Sequence, residues 1–142
     1  MVRDVLIVGA GPSGLATAIA AKQHGLDYAL VEKGALVNSI FRFPTHMVFF
    51  TTPELLEIGK LPLVTPYDKP TRLEALRYYR RVVDTYDLQI AFDETVIGIE
   101  REDGAFTVTT QPARGGSRVR QARAVVLAIG YYDLPNRLNV PG

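Results

Sequence analysis

Six residues near the start of the chain, Gly9-Ala10-Gly11-Pro12-Ser13-Gly14, form a G-x-G-x-x-G pattern. Each glycine has a mechanical use there. Gly9 permits a sharp turn, and Gly11 lets bare backbone approach a diphosphate. Gly14 lets the next helix pack closely on the preceding strand, with its first amides aimed at the phosphates. Glu32 stands 18 residues beyond Gly14. A carboxylate at that distance can accept hydrogen bonds from both hydroxyls of an adenosine ribose, and it would repel a 2′-phosphate. The spacing therefore predicts a dinucleotide site. The bland reading is a structural glycine turn, with Glu32 a solvated strand end. Ser13 reads as a hydroxyl at the helix start near the phosphates, because a serine without a neighbouring base is a poor nucleophile.

A site of this kind needs a strand, a tight turn and a helix in succession, and the flanking residues supply them. Val5–Val8 is wholly apolar, as suits a parallel strand covered on both faces. Leu15–Gly25 is rich in small helix formers and closes on a glycine. Tyr28–Lys33 reads as a second strand, which completes a βαβ unit. Residues 34–70 show no period and carry Phe41, Phe43, Phe49, Phe50 and five prolines. A stretch that long without regular structure is usually functional. Thr71 and Glu74 fit a capping box, and Leu73, Leu76, Val83 and Tyr86 repeat at helical spacing. Leu88–Phe92 is expected as a third parallel strand. Three further strand-like segments follow, broken at Asp103-Gly104 and Gly115-Gly116, and predict an antiparallel meander. Its last segment should run on through Ala124–Ile129 and rejoin the main sheet.

The expected fold is thus α/β: a Rossmann-like domain with a parallel sheet, a crossover helix layer and a three-stranded antiparallel β-meander. Spacing alone does not separate NAD from FAD. The order of parts does: a dehydrogenase would continue with βα units, whereas a long loop, a meander and "VVLAIG" belong to the FAD-binding domain of a flavoprotein with two dinucleotide domains.

Composition excludes several classes. Sixteen basic against 15 acidic residues leave a net +1, which gives no electrostatic case for nucleic acid or a charged membrane surface. With 47% hydrophobic and 22% charged residues, the chain has an ordinary globular composition. Cysteine is absent and only two histidines are present, so no disulfide framework, thiolate metal site or redox thiol is expected in these 142 residues. Val5–Ala21 lacks charge, but glycines and a proline interrupt it and it is short for a membrane span. No membrane partner is expected, and the chain reads as cytoplasmic.

Beyond these patterns, "VLIVGAGPSGLA" (5–16), "VEKG" (31–34), "PTHMVFF" (44–50), "LEIGKLP" (56–62), "ALRYYRRVV" (75–83) and "AIGYYDLPNRLNVPG" (128–142) resemble the thioredoxin-reductase-like flavoproteins, and most of all the bacillithiol-disulfide-reductase-like family. The resemblance implies FAD as prosthetic group, NADPH as hydride source and the disulfide of a low-molecular-weight thiol as substrate; a homo-oligomer is left open. It implies that Gly9, Ala10, Gly11, Pro12, Ser13 and Gly14 hold the pyrophosphate and that Glu32 and Lys33 sit at the ribose. Asn38 and Ser39 would line the middle of the cofactor, with His46, Phe50 and Thr51 towards the flavin ring. From the residues alone, His46 reads first as a loop histidine bonded to backbone. Val96 would meet adenine through its backbone, and Ala128, Ile129, Gly130 and Tyr131 would close over the cofactor. Some family members carry Cys where Ser13 stands, and a serine cannot be oxidised to a disulfide.

The resemblance also implies a discontinuous FAD domain, of which residues 1–142 are the first segment, with the NADPH domain and the returning segment absent. In isolation such a segment should bind FAD weakly and show no NADPH turnover. Two other functions stand beside this one: the first segment of a flavin monooxygenase, and a non-catalytic dinucleotide-binding module.

Overall fold

The apolar run near the N-terminus becomes strand β1 (Val2–Val8) in a computed structural model that describes residues 1–140. Pro141 and Gly142, which end the "AIGYYDLPNRLNVPG" stretch, lie outside the described residues. Val5, Leu6 and Ile7 are all buried, so β1 is covered on both faces and has no reason to alternate. Helix α1 (Pro12–Gln23) follows, with its proline in the first turn where a missing N–H does no harm. It ends at Gly25, whose φ of +68° lets Gly25 N–H reach the Lys22 carbonyl at 3.1 Å and Leu26 N–H the Ala21 carbonyl at 2.9 Å. That pair of bonds is a Schellman stop. Strand β2 (Tyr28–Val31) then pairs parallel to β1, from Val5 opposite Tyr28 to Val8 opposite Val31.

The meander forms as expected, from β3 (Glu94–Glu102), β4 (Ala105–Pro112) and β5 (Arg118–Leu127). Asp103 and Gly104 take φ of +49° and +82° between β3 and β4, the left-handed pair a two-residue hairpin turn requires. All five strands share one sheet in the order β2-β1-β5-β4-β3. Strand β5 makes this continuity. Its first half pairs antiparallel with β4, up to Ala122 opposite Phe106, and its second half runs parallel to β1, with Val126 opposite Ile7.

Leu88–Phe92 differs from expectation. It contributes one parallel bridge, Ala91 to Val31, rather than a strand. Ala91 donates to the Leu30 carbonyl and accepts from Glu32 N–H, both at 2.9 Å. Immediately afterwards Asp93 adopts φ +54° and turns the chain away.

Helix α3 (Arg72–Tyr86) begins with the predicted capping box: Glu74 N–H donates to Thr71 Oγ1 at 3.3 Å, and Thr71 N–H donates to Glu74 Oε2 at 2.8 Å. Its fully buried stripe, however, is Ala75, Tyr78, Tyr79 and Val82, with Leu73 exposed and Leu76, Val83 and Tyr86 at the margin. The spacing is helical in both readings. The structure prefers the tyrosines because their hydroxyls find partners as their rings go under. Tyr78 Oη accepts from Ile58 N–H at 2.8 Å and donates to the Leu61 carbonyl at 2.8 Å, Tyr79 Oη donates to the Leu56 carbonyl at 2.9 Å, and Tyr86 Oη donates to Gly59. These bonds hold the irregular stretch 56–61 on the helix. Burial pushes the Tyr79 phenol well up, so it stays a donor at working pH.

Helices α1 and α3 cover one face of the sheet, around Val5, Ile7, Leu15, Leu30 and Tyr79; Leu6, Val31, Val108 and Ala122 form a smaller core on the other. Lys22 of α1 donates to the carbonyls of Tyr86 and Asp87 at 2.7 and 2.8 Å, placing a cation on the negative end of α3. The long loop contains helix α2 (Asn38–Phe41), a 3-10 turn at Pro53–Leu55 and one antiparallel bridge, Val48 to Thr71.

Candidate cofactor site

The chain leaves β1 into the glycine turn, where Gly9 N–H donates to the Val31 carbonyl at 2.8 Å. Gly9 has φ +103°, and a Cβ there would lie 2.4 Å from the Ala128 carbonyl oxygen. A Cβ on Gly14 would lie 1.8 Å from the Gly9 carbonyl oxygen. Both glycines are therefore required by the fold itself. Gly11 is different. Its φ of −76° suits any residue, and no atom lies within 4 Å of the position its Cβ would take. That open position faces a cavity of about 700 Å³, within the range that holds drug-sized or larger ligands.

The turn is braced from behind. Ala10, completely buried, donates its amide to Glu32 Oε2 at 2.7 Å and accepts from Val37 N–H at 3.0 Å. Glu32 Oε1 accepts from Gly34 N–H at 2.8 Å. Glu32 is only 6% exposed, and two amides fix the orientation of its carboxylate while each oxygen keeps a lone pair for another donor. Helix α1 has no side-chain cap and no acidic residue in its first turn. The amides of Ser13 and Gly14 thus have no intrahelical partner, at the positive end of the helix.

Gly9, Gly11, Pro12 and Ser13 form the cavity floor, and Glu32, Lys33, Asn38 and Ser39 form one wall. Val96 borders one end, and Ala128, Ile129, Gly130 and Tyr131 form the opposite wall. Ala10 and Gly14 lie behind the surface. His46, Phe50 and Thr51 do not line this cavity. His46 is exposed, Phe50 is 89% exposed, and Thr51 Oγ1 is buried without a hydrogen-bond partner.

Sequence reasoning did not single out Thr17, Val37, Glu94, Thr95 or Asp133, which also line the cavity. Thr17 was within reach of inspection, being one helical turn beyond Ser13, to whose carbonyl it donates at 2.8 Å. Asp133 was not: it meets Lys33 Nζ at 2.5 Å from 100 residues away. The hydrogen bond from Lys33 holds the Asp133 carboxyl below the usual carboxylate range. Burial pushes the Glu94 carboxyl up, but hydrogen bonds from Thr110 and Arg120 and the charges of Arg120 and Arg118 outweigh it and hold the group below its ordinary value. Among the described residues no cluster of acidic and histidine side chains could hold a metal ion, and no helix is long and apolar enough to cross a membrane.

A parallel β1-α1-β2 unit, a bare turn open at its middle glycine, a helix start aimed at it and an acid at the end of β2 define a Rossmann-like dinucleotide-binding domain of the FAD-binding kind. The chain belongs to the pyridine nucleotide-disulphide oxidoreductase family, whose model matches residues 6–142. It is 39% identical over 138 residues to bacilliredoxin reductase of Bacillus subtilis, an alignment covering 96% of this chain and 41% of that protein. The solved bacillithiol disulfide reductase of Bacillus cereus superposes with a TM-score of 0.94 at 41% identity, over 100% of this chain and 44% of the other. The Staphylococcus aureus enzyme of the same name gives 0.90 at 38%, over 100% of this chain and 43% of its own. The chain therefore spans less than half the length of these relatives.

Proposed function

We propose that the chain is the FAD-binding part of an NADPH-dependent flavoprotein oxidoreductase that reduces the disulfide of a low-molecular-weight thiol. The observation that carries the cofactor assignment is Gly11: neither backbone conformation nor packing asks for glycine there, and the space it leaves open is the floor of the cavity. A diphosphate is the ligand that such bare backbone accommodates. In this reading the bare Gly11 backbone and the Ser13 amide meet the diphosphate, the free lone pairs of Glu32 take the ribose hydroxyls, and Thr95 and Val96 border the adenine. Asn38 and Ser39 flank the middle of the cofactor. Thr51 brings a buried hydroxyl that a bound group could satisfy. FAD, when bound, supplies the redox centre that accepts a hydride and passes two electrons on.

The disulfide substrate and NADPH rest on the named relatives, bacilliredoxin reductase and bacillithiol disulfide reductase. With no cysteine in these residues, no thiol of this chain takes part in exchange. The chain would be the first segment of a discontinuous FAD domain, with nicotinamide binding in the rest of a protein of the relatives' length, working in the cytoplasm. The test has two arms. The purified chain should show a flavin spectrum or take up added FAD. The full-length protein should oxidise NADPH with a low-molecular-weight disulfide. Peroxide release in place of disulfide reduction would favour monooxygenase-type chemistry, and no FAD uptake would overturn the assignment.

A further inference from the structure

Glu94 opens β3 beside the cavity and is 2% exposed. Its Oε1 accepts from Thr110 Oγ1 of β4 at 2.5 Å and from Arg120 Nε of β5 at 2.8 Å. Its Oε2 accepts from Arg120 Nη2 at 2.9 Å and from Arg118 Nη1 at 3.4 Å. One carboxylate on the edge strand thus reaches over β4 to two arginines on β5. The Glu94 amide, meanwhile, donates to the Glu32 carbonyl at 3.0 Å.

The cluster ties three parts of the cavity together: the backbone that carries Glu32, the start of β3 where Thr95 and Val96 line the wall, and β5, which runs on to Ala128–Tyr131 opposite. Glu94 is buried, whereas the side chains of Arg120 and Arg118 are 23% and 60% exposed. Burying a carboxylate in an ion pair is often a poor device for stability, and in some proteins its use is to specify one arrangement. That arrangement needs specifying here. Strand β3 is paired on one side only, and its register slips by a bulge between Val96 and Gly98, just after the two residues that face the cavity.

We propose that Glu94 is a positioning residue for the adenylate half of the bound dinucleotide: gripped by Arg120, Arg118 and Thr110, it sets Thr95 and Val96 against the cavity at the distance an adenine requires. The proposal rests on the FAD reading above. It assigns Glu94 no contact with the flavin half.

The test compares the chain with Glu94→Gln, the milder Thr110→Val, and Tyr86→Phe as a control far from the cavity. Each is titrated calorimetrically with FAD, with ADP and with FMN, and amide exchange is followed by NMR. Glu94→Gln should weaken FAD and ADP about tenfold, and Thr110→Val about threefold, as expected for losing charge-assisted hydrogen bonds that hold a wall in place. FMN affinity should not change, and Tyr86→Phe should leave all three ligands alone. Amide exchange in the unliganded protein should speed at Thr95 and Val96 but not at Ser13 and Gly14. Should Glu94→Gln fail to fold, Thr110→Val decides. Unchanged ADP affinity in folded variants, or FMN weakened as much as ADP, overturns the proposal. A wild-type chain that binds neither FAD nor ADP overturns the FAD reading beneath it instead.

Discussion

Gly11 and Gly14 stand three residues apart and should answer the same substitution in opposite ways. An added methyl on Gly14 would collide with the Gly9 carbonyl at 1.8 Å, backbone against backbone with nothing flexible to yield. Gly14→Ala should lower stability by about 3 kcal/mol or more, or abolish folding. Gly11→Ala meets empty space, so its thermal midpoint should stay within a degree or two while FAD affinity falls at least about tenfold. Thermal melts by circular dichroism and a FAD titration separate the two effects, and a Gly11→Ala variant with normal affinity would remove the support for a diphosphate at this turn. The acid dependence of stability belongs to this scale too. The folded Glu94 carboxyl lies below its ordinary value of 4.5. Its stabilisation is therefore complete above the unfolded pKa and is lost as pH falls through the folded one. The melting temperature should drop on acidification below about pH 4.5, and Glu94→Gln should flatten that slope.

At the level of elements, α3 is held to the long loop by phenol groups rather than by a leucine stripe. Tyr78→Phe keeps the ring in its place but leaves the Ile58 amide and the Leu61 carbonyl without partners. The expected loss is about 1–3 kcal/mol, the usual cost of unpaired buried polar groups, with faster amide exchange confined to residues 58–61. A loss spread over the whole chain would contradict this staple. The helix ends follow the same logic. The capping box at Thr71 and Glu74 was visible in four residues, whereas Lys22 closing the far end of α3 from another helix was not. Thr71→Ala should cost about 1 kcal/mol, read as a few degrees in the melt.

Taken whole, the molecule presents its cavity beside apolar side chains that nothing in the described residues covers, among them Leu127, Ile129, Tyr131 and Leu134, each more than 60% exposed. Water reaches both walls. A dinucleotide bound there gains from the glycine turn and Glu32 but lacks enclosure, so the chain by itself should hold FAD weakly. With one glycine fingerprint in the sequence, it should also show no rapid NADPH-dependent bleaching of bound flavin under anaerobic conditions. Stopped-flow absorbance at the flavin band measures this directly, and rapid bleaching by these 142 residues would place a nicotinamide site within them.

Residues close in sequence determined what local geometry controls. The turn at Gly9–Gly14, the β1-α1-β2 unit, the hairpin at Asp103-Gly104 and the capping box each need only a few neighbours and a backbone preference, and each was legible before any coordinates. Tertiary structure decided where distant segments must share space. It reduced Leu88–Phe92 to a single bridge, because the chain turns at Asp93 to bring Glu94 beside Glu32. It put tyrosines rather than leucines under α3, because loop carbonyls were there to receive their hydroxyls. It also chose Glu94, Asp133 and Thr95 as cavity residues, and left His46 and Phe50 outside. Burial and pairing over a hundred residues of separation depend on how the sheet closes, and no periodicity in the chain encodes that.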